Sequence, residues 1–351
     1  MVKISQKQQK ILAILLENGE LSSSSVQEIF ARKIEEISLV TIKRTLSKMV
    51  EMDILSVVGS GRTTRYKISS MGRVFADIDP RQYTSIEPDK RYGFNHYNFE
   101  LLQNFPKDIF SENELNILDT ATLEYKRRTE DLSETIQKKE LERLIIELSW
   151  KSSKIEGNTY TLLDTEKLIL ENKEAIGHDK LEAKMILNHK DAFNFIYEHR
   201  DKFKTLTNAN MEEVHALLVK DMGVGFGLRS KPVGVLGSSY SPLDNVHQIK
   251  EAVDALSKAV DEARAPYAKA MLALLGISYI QPFEDGNKIT ARLICNAILF
   301  AYGLAPLSYR SVLEVDYREA ILVFYEINSI VPFKKIFVSQ YDFAARNYAV
   351  K

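Results

Sequence analysis

Between two strongly apolar helical stretches, Tyr267–Ile280 and Leu293–Tyr302, the chain places twelve residues that read Q-P-F-E-D-G-N-K-I-T-A-R, from Gln281 to Arg292. No other segment confines the fold as much. An acid, a glycine and an amide (Asp285, Gly286, Asn287) open onto the start of the second helix. The first backbone N–H groups of a helix lack intrahelical partners, and the helix dipole favours negative charge there. Such a loop can therefore hold an anion.

The surrounding composition suits a soluble globular chain. A length of 351 residues predicts two or three units. Hydrophobic residues at 45% and charged residues at 27% allow a sizeable core. No apolar run reaches membrane-spanning length, and Met1–Lys10 is polar where a signal peptide would be apolar, so a cytoplasmic location is expected. The single cysteine, Cys295, excludes an internal disulfide and a cysteine-based zinc site. Set among Leu293, Ile294 and Ile298, it reads as a small buried hydrophobe.

Charge is unevenly spread. Residues 1–75 carry 12 Lys+Arg against 7 Asp+Glu, although the whole chain nets −1. A basic head on an acidic body points to a polyanion partner for the head. Three amphipathic helices and a hairpin fit into it. Gln8–Leu16 stops at Asn18-Gly19, and Ser25 precedes Glu28 at the spacing of a capping box. A third helix follows Ser38, with Leu39, Ile42, Leu46 and Met49 on one face and Thr41, Arg44, Thr45 and Lys48 on the other. Ile54–Val58, a Gly59-Ser60-Gly61 turn and Thr63–Ile68 read as a hairpin bearing Arg62, Arg65 and Lys67.

This order resembles a winged helix-turn-helix, whose third helix enters the major groove while the wing meets the backbone or minor groove. DNA is the expected partner of residues 1–75. Thr41, Arg44, Thr45 and Lys48 would face bases and phosphates, and Arg62 and Arg65 phosphates. A solvated basic face on a protein-binding module is the plainer alternative.

Residues 76–110 form a connecting segment, punctuated by Pro80, Pro88 and Pro106 and too aromatic for a free linker. From Ser111 the pattern is helical almost throughout, with Ser111 and Glu114 as a capping box and Leu123–Trp150 as one long amphipathic run. Trp150 reads as packing.

The Gln281–Arg292 stretch resembles the signature of the Fic family, also called Fido, which runs H-P-F-x-[DE]-G-N-G-R-x-x-R. Two more segments fit. Ser152-S-K-I-Glu156-Gly157 resembles the family's inhibitory motif, [ST]-x-x-x-E-[GN], whose glutamate pairs with the last signature arginine, here Arg292, and obstructs the γ-phosphate site. Lys231–Pro242 lies where the family has a β-hairpin flap that aligns a target by strand addition. The resemblance implies a mainly α protein, with the winged helix-turn-helix followed by an all-helical Fic-type core over residues 111–351 and a β-hairpin flap.

What the resemblance implies for chemistry is changed at three positions. Active members mostly transfer AMP from ATP to a protein hydroxyl, and the signature histidine takes the hydroxyl proton. Here that position is Gln281, and a neutral amide cannot accept a proton near neutrality. Lys288 stands where most members have glycine; the Doc branch, which transfers phosphate, has lysine there. Ile289 replaces an arginine that neutralises polyphosphate.

Asp285 matches the acid that holds Mg²⁺. Gly286, Asn287, Lys288 and Arg292 match the nucleotide-binding positions, so ATP with Mg²⁺ is the cofactor the resemblance implies. His215 and His247 flank the signature and read as ordinary helix-surface histidines. The expectation is a DNA-binding regulator with a degenerate Fic body, a pseudoenzyme that serves as scaffold, homodimerisation surface or ligand sensor. The alternatives are an adenylyltransferase or phosphotransferase of low or altered activity restrained by Glu156, and a binder of a target protein through Val233–Tyr240.

Overall fold

The computed structural model describes residues 4–349, which divide into two compact units. One comprises Met1–Pro106, Val235–Tyr240 and Glu319–Phe333. It opens with α1 (Gln6–Asn18), α2 (Ser23–Lys33) and α3 (Leu39–Glu51). Each begins on a serine whose side chain accepts a first-turn N–H: Ser5, Ser22 and Ser38. The predicted Ser25 and Glu28 box is not used. Ser22 caps instead, so α2 starts three residues earlier and Ser25 lies inside its first turn, its N–H donating to Ser22 Oγ at 3.1 Å.

Ile42, Leu46 and Met49 of α3 are fully buried, whereas Leu39 is half-exposed because the packed face begins one turn later. β1 (Leu55–Val58) pairs antiparallel with β2 (Arg65–Ile68), Leu55 opposite Ile68 and Val58 opposite Arg65. At Gly59, φ is +76° and a Cβ would meet Thr63 O at 2.9 Å, so this turn needs glycine. A bridge between Leu21 and Tyr66 ties the α1–α2 link to the hairpin. Ile11, Leu12, Phe30, Leu46 and Ile54 centre the core, joined by Val323 and Ile327. Together these elements form the winged helix-turn-helix.

Short helices α4 (Ser70–Val74), α5 (Pro80–Thr84) and α6 (Phe99–Gln103) follow. Here the buried Glu326 carboxylate accepts from Tyr83 Oη at 2.7 Å, from Arg91 Nη1 at 3.2 Å and from Ser238 Oγ. Burying an ion pair is tolerable when its remaining donors and acceptors are also satisfied. Arg91 meets that condition, donating further to Thr84, Ile86 and Gly237 carbonyls.

The predicted β-hairpin flap is not formed: residues 231–242 contain no extended strand, only a single bridge residue at Ser241, and the extended strands among the described residues are β1 and β2. Pro232 and Pro242 lack ladder donors, and Gly237 turns the chain with φ +77°. Val235–Tyr240 is instead held by side chains, through Ser238 and Glu326, Arg91 and the Gly237 carbonyl, and Tyr240 stacked on Tyr325 at 5.6 Å.

The second unit comprises Lys107–Gly234, Ser241–Arg318 and Lys334–Lys351. Its helices are α7 (Glu112–Thr129), α8 (Glu134–Ile155), α9 (Leu162–Glu171), α10 (Lys180–Glu198), α11 (Asn208–Leu218), α12 (Val246–Glu262), α13 (Pro266–Ile280) and α14 (Asn287–Ala301). α15 (Glu314–Ile327) and α16 (Val331–Asn347) complete the chain. The Ser111 and Glu114 capping box forms as expected. The run Leu123–Trp150 does not form one helix: α7 ends at Thr129, and Ser133 caps the new start of α8.

α13 and α14 are the buried centre. After Pro266, every α13 residue except Lys269 is buried, as expected of a helix apolar all round. Cys295 is fully buried on α14, and burial pushes its thiol up to about 12. No described helix is long and apolar enough to cross a membrane.

Candidate functional sites: an anion loop and a basic helix face

α13 terminates on Gln281, which takes the left-handed conformation (φ +52°) and turns the chain into the loop. Its amide points back: Nε2 donates to Ser278 O at 2.6 Å, while its main-chain O accepts from Arg229 Nε at 2.6 Å. Asn287 closes the loop reciprocally with Phe283, N–H to Oδ1 and Nδ2–H to O, both at 2.8 Å. Gly286, at φ +72°, caps α14 without a side-chain bond, leaving the first-turn N–H groups without a capping acceptor. Asp285 is exposed, and its Oδ1 accepts from Gly286 N at 2.7 Å.

His215 lies beneath this loop. Its ring stacks on Phe283 at 3.9 Å and 9°, with Nε2 3.0 Å from Asp285 O. A carbonyl partner requires the proton on Nε2, leaving Nδ1 bare, and Nδ1 is buried without a hydrogen bond. Burial lowers its pKa, against the bond to Asp285 that favours the charged form. His215 is therefore a neutral floor for the loop, fully buried and not on a helix surface as the sequence predicts.

Arg292, one turn beyond Lys288 on α14, is fully buried. Its Nε donates to Ser152 Oγ and its Nη2 to Ser152 O, both at 2.9 Å. Arg292 Nη2 also lies 2.9 Å from Glu156 Oε1, and Lys288 Nζ donates to Glu156 Oε2 at 2.9 Å. Burial alone would raise the Glu156 carboxyl, but Arg292 and Lys288 hold it below its ordinary value. Burial likewise opposes the Arg292 charge, yet Tyr317 and Glu156 raise its pKa. The Tyr317 ring sits 5.5 Å from the guanidinium. Nearby, His189 Nδ1 and Ser149 Oγ are hydrogen-bonded at 3.0 Å, and burial and the Arg292 charge keep the ring neutral, its pKa lowered to about 3. Ile289 is buried, and its side chain supplies no cation at this position.

In the other unit, Thr41, Arg44, Thr45 and Lys48 line the outer face of α3, with Arg44 and Lys48 exposed and Thr41 and Thr45 half-buried. Arg44, Thr45 and Lys48 share with Ser5, Lys7 and Gln8 a hollow of about 410 Å³. Arg62 and Arg65 are exposed on the hairpin, Arg65 reaching Glu20 O at 3.4 Å. Nothing local in the sequence marks Lys7, which the fold alone brings into this hollow.

The Fic/DOC family model matches residues 205–299. Residues 205–299 form a Fic/DOC domain. The ferric uptake regulator family model matches residues 1–76, in keeping with the winged-helix fold found there. The chain is 31% identical over 175 residues to protein adenylyltransferase Fic of Nematostella vectensis, covering 48% of this chain and 41% of that protein. It is 29% identical over 182 residues to protein adenylyltransferase fic-1 of Caenorhabditis elegans, covering 47% and 32%. This chain thus spans less than half the length of these curated relatives.

Among solved structures, a Fic family protein from Desulfovibrio desulfuricans superposes with a TM-score of 0.56 at 20% identity, covering 69% of this chain and 75% of that one. A Fic domain containing signaling protein from Bacteroides thetaiotaomicron gives 0.53 at 19%, covering 66% and 94%. These likenesses show the fold.

The fold brings the loop residues Asp285, Gly286 and Asn287 of this domain into one turn. Ser152, Glu156, Lys288 and Arg292 converge as a second cluster, and Gln281 sits at the loop's base, turned away. His215, His189 and Tyr317 join them although nothing local in the sequence marks them. As for a metal, no group of three or more His, Cys, Asp or Glu side chains converges among the described residues. The donor set is one exposed carboxylate, Asp285, with one oxygen engaged by its own loop. That fits Mg²⁺ only when a polyphosphate supplies further oxygens.

Proposed function

We propose that this chain is a DNA-binding transcriptional regulator whose Fic domain is impaired as a transferase and holds a nucleotide pocket latched by Glu156. The reading is carried by the outer face of α3, where Arg44 and Lys48 project with no ion-pair partner among the described residues. Phosphate neutralisation by such cations supplies DNA affinity, and base edges are read from the same helix. Thr41 and Thr45 on that face, and Arg62 and Arg65 on the hairpin, complete the proposed interface.

The impairment follows from Gln281. Adenylyl transfer to a hydroxyl requires a group of pKa near working pH to take the proton. An amide committed to Ser278 O cannot do so, and neither can a histidine stacked and buried under the loop. In the pocket, Gly286, Asn287 and Arg292 would bind phosphate oxygens, the first-turn N–H groups of α14 adding a favourable field. Asp285 would hold Mg²⁺, which would neutralise phosphate charge when bound with ATP.

The test is an electrophoretic mobility shift of the full chain against genomic fragments, including its own upstream region, at graded salt. Salt-sensitive binding that is lost in Arg44→Ala/Lys48→Ala supports the reading; no such binding ends it. A second reading, a slow transferase, is favoured by the surviving Glu156 latch and the exposed Asp285. Label transfer from ATP that rises in Glu156→Gly and vanishes with Asp285→Ala would replace the first reading.

A further inference from the structure

We propose, building on the latched pocket above, that Lys288 is a positioning residue whose role is to hold Glu156 over the loop, and not a direct ligand of phosphate. Glu156 stands at the hinge of its segment: α8 ends at Ile155, and Gly157 leaves the helix with φ +100°. Two cations one turn apart on α14 reach its carboxylate. They do not reach it equally.

Arg292 spends its Nε and Nη2 directions on Ser152. Arg292 Nη2 lies 2.9 Å from Oε1 and its charge holds the carboxyl below its ordinary value, but the pair is a charge contact without the alignment of a hydrogen bond. Lys288 Nζ, at 2.9 Å from Oε2, makes the hydrogen bond that aims the carboxylate. A charge-assisted bond of this kind is about twice as strong as a neutral one. Exposure divides the two cations further. Arg292 is 0% exposed and fixed, whereas Lys288 is 32% exposed and able to swing into solvent.

The arrangement makes opposite predictions for the two roles. If Lys288 binds phosphate, removing its charge weakens nucleotide binding whether or not Glu156 is present. If it holds the latch, removing its charge frees Glu156, enlarges the open fraction and strengthens binding, because apparent affinity scales with the population of the competent state. The second effect disappears once Glu156 is gone.

The experiment is calorimetric titration of the full chain with MgATP, comparing wild type, Lys288→Gln, Glu156→Gln and the double variant, with Lys288→Arg as the conservative control. Expected is an affinity gain of roughly three- to tenfold for Lys288→Gln, the lower end reflecting partial solvent screening. No further gain is expected on the Glu156→Gln background, and Lys288→Arg should stay near wild type. Equal weakening in both backgrounds overturns the role. If no variant binds MgATP, the nucleotide reading fails, and amide hydrogen exchange across residues 150–158 decides the latch separately. Exchange should rise at least threefold in Lys288→Gln and not in Lys288→Arg; unchanged exchange overturns the proposal.

Discussion

Arg292 is tied twice to Ser152, through Nε to the hydroxyl and through Nη2 to the main-chain carbonyl, both at 2.9 Å and both fully buried. The guanidinium is thus oriented by the C-terminal turn of α8 before Glu156 is considered. In the proposed latch, Ser152 would be the anchor and Glu156 the part that opens.

Replacing Ser152 by alanine should leave Arg292 Nε as a buried donor without an acceptor. A loss of about 1–3 kcal/mol is expected. Urea unfolding with an unchanged slope and a lower midpoint checks it; a midpoint equal to wild type would mean the bond carries nothing.

The latch should be insensitive to pH near neutrality and open in acid. Glu156 has a folded pKa below its ordinary 4.5. Its contribution is fully present above 4.5 and is lost as pH falls through the lower folded value. Hydrogen exchange corrected for intrinsic rates, over residues 150–158, should rise relative to the rest of the chain only below the ordinary carboxylate range. Glu156→Gln should abolish that step.

Restoring the family's arginine at position 289 should destabilise the protein. Ile289 is 3% exposed, and a guanidinium placed there would be buried without a partner. A cost of about 3 kcal/mol or more is expected for Ile289→Arg, measured as a lower thermal midpoint. A midpoint unchanged within error would show that the site faces water when the side chain is long.

Restoring histidine at position 281 should not by itself restore transfer. Gln281→His provides a titratable ring, but Glu156 still covers Arg292 and position 289 still lacks a cation. Labelled-ATP incubation should give background signal for Gln281→His. Robust transfer from this single variant would show that the imidazole was the sole missing element.

On DNA, each of Arg44→Ala and Lys48→Ala should reduce the slope of log affinity against log salt by about 0.9, the value for one neutralised phosphate. Loss of affinity with an unchanged slope would instead point to base contacts.

The sequence alone determined the local and periodic features. The stripe Ile42, Leu46, Met49 marked the buried side of α3, the apolar stretches marked α13 and α14, and Ser38 and Ser111 marked helix starts. The composition of the Asp285–Asn287 loop was also readable there. These follow from propensity, capping and spacing, which act over a few residues.

Tertiary packing decided the rest. Periodicity says that a face is buried but not what covers it, so nothing local indicated that Lys288 would meet a carboxylate 132 positions away. Nor did it indicate that His215 would lie under the loop, or that residues 231–242 would be held by side chains with no strand among them. Such partnerships depend on where separate helices come to rest. A side chain's role is then set by the neighbour it is packed against, as Lys288's is by the Glu156 carboxylate.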